Sequence, residues 1–69
     1  MKVKILEAKW NEAQREIVCC AQKIFGDEEL VFSIAPENFG INSKNISKKQ
    51  INSFREIAVL LEGKEINLE

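Results

Sequence analysis

The chain has no histidine and no tyrosine, one proline, three glycines, two cysteines and one tryptophan in 69 residues. Without histidine the commonest general base and metal ligand are missing, so acid–base or metal chemistry would fall to carboxylates, lysines and thiols. The glycines stand singly, and no GxGxxG or GxxxxGK loop is present to cradle a phosphate. No apolar run reaches the roughly 18 residues needed to span a bilayer. An excess of one charge is also lacking. Ten basic residues against eleven acidic ones leave a net charge of −1, which favours neither a generally basic nucleic-acid binder nor an acidic mimic of nucleic acid. The apolar stretch after Met1 is short and meets Glu7 at once, unlike a secretory leader, so a cytoplasmic location without membrane contact is expected.

What is present is a moderately apolar chain, 45% hydrophobic and 30% charged, too apolar for a disordered tail. It has the size of one small domain covering residues 1–69, and a chain of this length buries only roughly 60% of its unfolded surface. Eight lysines, nine isoleucines and six asparagines stand against two arginines, a bias that fits an A/T-rich coding sequence and a prokaryotic or viral source. Cys19 and Cys20 are adjacent, a spacing unsuited to a mutual disulfide or to a CxxC metal pair. They read as free thiols in a reducing compartment, and neither a metal nor any other cofactor is expected.

The first half of the chain admits two periodicities. Val3, Leu6, Trp10, Ala13, Ile17, Cys20 and Ile24 recur at alternating steps of three and four, which predicts a helical stripe widened by Ala21 and Phe25 and ended by Gly26. Lys2-Val3-Lys4-Ile5 also alternates with period two, and Asn11 with Gln14 three residues later offers a helix cap. The sequence therefore predicts a short strand over Lys2 to Leu6 and a helix from Ala8 or Asn11. The alternative is one helix over residues 3 to 25. After the acidic turn Asp27-Glu28-Glu29, Leu30 to Ile34 reads as a half-buried strand. Pro36 and Gly40 mark a loop that folds back or forms a weak strand at Phe39 and Ile41.

The second helix is the best marked. Ser47 and Gln50 form a capping box, Ile46 and Ile51 are spaced for a hydrophobic staple, and Gly63 follows the stripe Ile51, Phe54, Ile57, Ala58, Leu61. Val59 and Leu60 widen that stripe, so this helix is expected to touch a second surface, either the sheet or another subunit. Lys64 to Glu69 alternates and predicts a last edge strand over Glu65 to Leu68. The expected fold is an α+β domain with two amphipathic helices packed on one face of a two- or three-stranded sheet. Its alternative is a mostly α chain whose long first helix pairs in a dimer.

No nucleophile with a base and no paired carboxylates suggest catalysis, so the chain is not expected to be an enzyme. The first functional expectation is a small protein-binding module (an inhibitor, adaptor or regulatory protein, of phage or mobile-element type) with Trp10, Phe39, Ile41 and Leu60 as apolar anchors and a homodimer as a further possibility. The second is anion or nucleic-acid binding at the second helix start. There Ser43, Lys44, Ser47, Lys48 and Lys49 place hydroxyls and ammonium groups beside free backbone N–H groups, against the sign the helix dipole prefers. Each has a plainer reading: Trp10, Phe39 and Ile41 can plug their own core, and the lysines can be a solvated surface.

Overall fold

Two long strands, β1 (Lys2–Asn11) and β2 (Glu16–Lys23), form an antiparallel hairpin, and β3 (Glu29–Ile34) pairs antiparallel with β2. A helix, α1 (Lys48–Leu61), packs on β1 and β2, and β4 (Glu65–Asn67) returns antiparallel to the start of β1. The sheet order is β3-β2-β1-β4. The computed structural model describes residues 1–68. Ten residues of β1 at about 3.3 Å each account for most of the long dimension of the 39 × 20 × 18 Å molecule.

The architecture overturns both expected folds. Among the described residues there is one α-helix rather than two, on a sheet of four strands, and residues 3–25 form a hairpin instead of the first helix. The helix-like spacing drew on both faces of the hairpin, since Val3 and Ile17 are buried whereas Leu6, Ala13 and Cys20 are exposed, and a bulge and a turn hid the true alternation. Val3, Lys4 and Ile5 face Lys23, Gln22 and Ala21, but Glu7 faces Cys20, so Leu6 is the extra residue of a β-bulge. Leu6 and Glu7 both point away from the helix, and burial resumes at Ala8. The bulge thus turns a step of two into a step of three.

The turn between the strands supplies the other deceptive signal. Asn11 does cap a helical turn: its Oδ1 accepts from the Gln14 N–H at 3.0 Å and its carbonyl from the Arg15 N–H at 2.7 Å. That turn is not continued, because Arg15 adopts φ +55° and Glu16 pairs back with Asn11. Gly26, expected to end a helix in a left-handed conformation, lies in the β2–β3 connection without a positive φ, and Phe25 beside it is 93% exposed.

The core lies between α1 and one sheet face. Val3, Ile5 and Ala8 of β1 and Ile17, Cys19 and Ala21 of β2 are buried, together with Phe54 and Ala58 of α1. Helix α1 starts where the capping box places it: Ser47 Oγ accepts from the Gln50 N–H at 3.2 Å, and Gln50 Oε1 accepts from the Ser47 N–H at 2.9 Å. At its other end Gly63, at φ +84°, donates its N–H to the Ile5 carbonyl, and the Ile5 N–H returns a bond to the Lys64 carbonyl. The Ala8 N–H, beyond the reach of β4, is satisfied by the Glu62 carboxylate at 3.2 Å. The remaining strands agree with their alternation: Leu30 to Ile34 lies in β3, Lys2 to Leu6 is the first half of β1, and β4 covers Glu65–Asn67. The Pro36 loop contains two 3₁₀ turns, Pro36–Phe39 and Ser43–Asn45, rather than a strand.

Candidate functional site

Two of the four apolar anchors expected from the sequence converge on Phe54. Trp10 stacks on it with ring centroids 5.4 Å apart and planes 8° from parallel, while Phe39 meets it tilted at 5.7 Å. Ile41 is half-buried against the same core. Trp10 is held further by its indole N–H, which donates to Glu12 Oε2 at 2.9 Å, and that carboxylate also pairs with Arg55. The aromatic group therefore closes one end of the chain's own core, leaving Phe39 half exposed at its rim. Leu60 lies elsewhere, 65% exposed on the outer side of α1 beside Val59.

The expected anion site is assembled differently from its sequence reading. The Ser43 N–H and Oγ both donate to Glu37 Oε2, at 3.0 and 2.8 Å. The backbone N–H of Ser43, then its hydroxyl, hold the Glu37 carboxyl below the usual carboxylate range. The Ser43 and Lys44 carbonyls accept from the Arg15 guanidinium, and the Lys44 N–H donates to Asn42 Oδ1. Ser47 Oγ is committed to the cap of α1. What remains is three exposed ammonium groups, on Lys44, Lys48 and Lys49, without an ion pair among the described residues. This end of the molecule carries its own acids, Glu12 and Glu37, next to its basic groups.

A surface that the sequence reading missed lies on the sheet face away from α1. Cross-strand rows there run Lys4–Gln22–Glu29, Glu7–Cys20–Val31 and Lys9–Val18–Ser33. At their centre Val31 is 68% exposed and Cys20 is exposed, with Val18 half-buried and Leu6 projecting from the bulge. A shallow depression of about 330 Å³ opens beside them, lined by Glu7, Lys9, Trp10, Asn11, Val18 and Cys20. Lys9 pairs with Glu7 at 2.9 Å, and that hydrogen bond raises the ammonium pKa. The signal for this face was the alternation of Ile17, Cys19 and Ala21 against Val18, Cys20 and Gln22, which a helical reading of the same residues hides.

Cys19 and Cys20 divide between the two faces. Burial, with a smaller contribution from the neighbouring thiol, pushes the Cys19 pKa up, so it is a poor nucleophile among the core side chains. Among the described residues no group of three His, Cys, Asp or Glu side chains is brought together in a metal-binding arrangement, and no helix is long and apolar enough to cross a membrane. No protein-family model matches this chain, and no curated protein and no solved structure matches it either.

Proposed function

We propose that the chain is a small, non-enzymatic protein-binding module of the inhibitor, adaptor or regulatory kind, and that its contact surface is the helix-free face of the sheet. The observation that carries this reading is the row of Leu6, Val18, Cys20 and Val31. It is an apolar strip on a continuously paired sheet, framed by Lys4, Glu7, Lys9 and Glu29. An apolar centre with a charged rim is the usual anatomy of a protein interface, and residues in a continuous sheet present it with little entropy left to lose on binding. The anion-binding alternative is weaker in its hydroxyls, since Ser43 serves Glu37 and Ser47 serves the helix cap.

The test is a tagged capture from cell extract, eluted across a salt series, with two surface variants in parallel. Leu6→Glu combined with Val18→Glu charges the strip. Val18 faces Lys9, so the new carboxylate gains an opposite-charge neighbour and the strand is kept. Lys48→Glu combined with Lys49→Glu reverses the helix start. A stoichiometric protein that resists high salt, is lost with the strip variant and is kept with the lysine variant is the expected result. Loss with the lysine variant, or steep release of nucleic acid as salt rises, would transfer the function to the lysines.

A further inference from the structure

We propose that a second copy of this chain pairs with β3, edge to edge and antiparallel about a two-fold axis at Val31, to make a continuous eight-stranded sheet. Among the described residues strand β3 ends the sheet, with β2 on one side and no strand on the other. Which of its backbone groups are free follows from the ladder. The Lys23 N–H donates to the Glu28 carbonyl, so the hydrogen-bonded pairs between β2 and β3 are those at every second step: Ala21 with Leu30, Cys19 with Phe32 and Ile17 with Ile34. The N–H and C=O groups of Glu29, Val31 and Ser33 therefore point outward, and no other hydrogen bond within the described residues reaches them.

Edges of this length are normally blunted by proline, lysine, a bulge or brevity. β4 is blunted in this way, with three residues and a Lys2–Glu65 ion pair beside it. β3 has six residues, no proline, no lysine and no bulge.

The free groups are complementary to themselves in one register. With Val31 opposite its symmetry mate, Glu29 faces Ser33 of the second copy and Ser33 faces Glu29. All three outward residues then form hydrogen-bonded pairs, six backbone bonds in total for two copies of three N–H groups. On the helix side, half-buried Leu30 comes opposite half-buried Phe32 of the second copy, while on the other face the two exposed Val31 side chains meet across the axis. No like charges oppose each other. A slip of two residues one way would need Ala35, whose N–H and carbonyl are already used by Asn38. A slip the other way would need Asp27, which lies outside the strand and would leave Glu29 against Val31. The favoured register also joins the two helix-free faces into one surface. Unlike the reading in the previous subsection, the pairing rests on backbone groups and not on the apolar strip.

Sedimentation equilibrium reads the outcome. Wild type is expected at twice the 7.9 kDa chain mass, and Val31→Pro at the monomer mass with an unchanged circular dichroism spectrum. The Val31 N–H makes no bond within the chain, so an edge position can accept proline. Two cysteine variants fix the register, each made with Cys20→Ser because Cys20 faces Val31 across the ladder. Val31→Cys should cross-link on mild oxidation, since facing residues lie about 5.5 Å apart. Ser33→Cys should not, because its mate lies four residues along the strand, about 13 Å away. A wild type that stays monomeric at millimolar concentration overturns the proposal, as does a dimer that survives Val31→Pro. Cross-linking through Ser33→Cys in place of Val31→Cys overturns the register.

Discussion

The hairpin of β1 and β2 and the helix α1 are held by different kinds of contact. The hairpin is closed by pairs as distant as Val3 with Lys23, and its core side chains are covered only when Phe54 and Ala58 arrive from α1. α1 is started by groups three residues apart, Ser47 and Gln50, and it continues by bonds to neighbours four residues away. Damage to a local device should therefore cost little and stay local, whereas damage to the buried hairpin face removes what the rest of the fold is built on.

The largest difference is expected between two neighbours in β1. Ile5 is fully buried, and Leu6 projects from the bulge into solvent. Ile5→Ala should lower the unfolding free energy by about 2–5 kcal/mol, and Leu6→Ala by about 0.5 kcal/mol or less, in urea titrations of the two variants. Equal losses would mean that the bulge does not place Leu6 outside the core.

The two thiols make the same comparison in β2. Cys19→Ser would bury a hydroxyl among apolar side chains and should cost about 1–3 kcal/mol, while Cys20→Ser should be close to neutral. A disulfide reagent added to the native protein should titrate one thiol promptly and the second only on unfolding. Two prompt thiols would show that the hairpin opens readily. At α1, Ser47→Ala removes the side-chain acceptor of the cap and should cost about 1 kcal/mol, without changing the urea dependence of the transition.

These contrasts also explain what could be read from the amino-acid order. α1 was legible because its start is written in four consecutive positions, and β3 because Leu30, Phe32 and Ile34 alternate within six residues. The hairpin was not. The bulge at Leu6 and the single helical turn at Asn11 each shifted the phase of the alternation, and the apparent period of 3.6 over residues 3–24 mixed exposed Leu6, Ala13 and Cys20 with buried Val3 and Ile17. Both shifts are visible only once Glu7 is seen opposite Cys20 and Asn11 opposite Glu16, which is information about pairing between distant positions. The same cause moved the candidate surface. Trp10, Phe39 and Ile41 stand out as apolar residues in doubtful places, but Phe54, the partner of Trp10 and Phe39, and the core that Ile41 packs against lie on other elements, so their role as a core plug emerges only from the packing. Leu6, Val18, Cys20 and Val31 share a face only in a sheet.

Arg15 allows a finer test of the turn that separates the two regimes. Its φ of +55° is strained for a residue with a Cβ, while its guanidinium holds the Ser43 and Lys44 carbonyls. Arg15→Ala loses the bonds and keeps the strain, whereas Arg15→Gly loses the bonds and relieves it. Glycine should therefore be the more stable of the two by about 1 kcal/mol. Equal stabilities would place the cost of this turn elsewhere.

The smallest expected effect is a pH dependence in the loop that brings Phe39 to Phe54. Glu37 is more acidic in the folded chain than its ordinary value because the Ser43 N–H and hydroxyl bond to its ionised form. A carboxyl depressed by folding contributes stability that is fully present above its unfolded value. That contribution is lost as pH falls through the lower, folded value. Glu28 shares the direction through its hydrogen bond and ion pair with Lys23, but it sits at the β2–β3 turn, far from the aromatic group. Glu37→Gln should therefore flatten part of the acid limb of the stability curve, while Glu28→Gln flattens another part and leaves the loop in place. Tryptophan emission separates them, because Trp10 reports on the stack with Phe54 that Phe39 covers. Its acid transition should shift with Glu37→Gln and not with Glu28→Gln. A shift with Glu28→Gln alone would mean that acid opens the molecule first from the β2–β3 end.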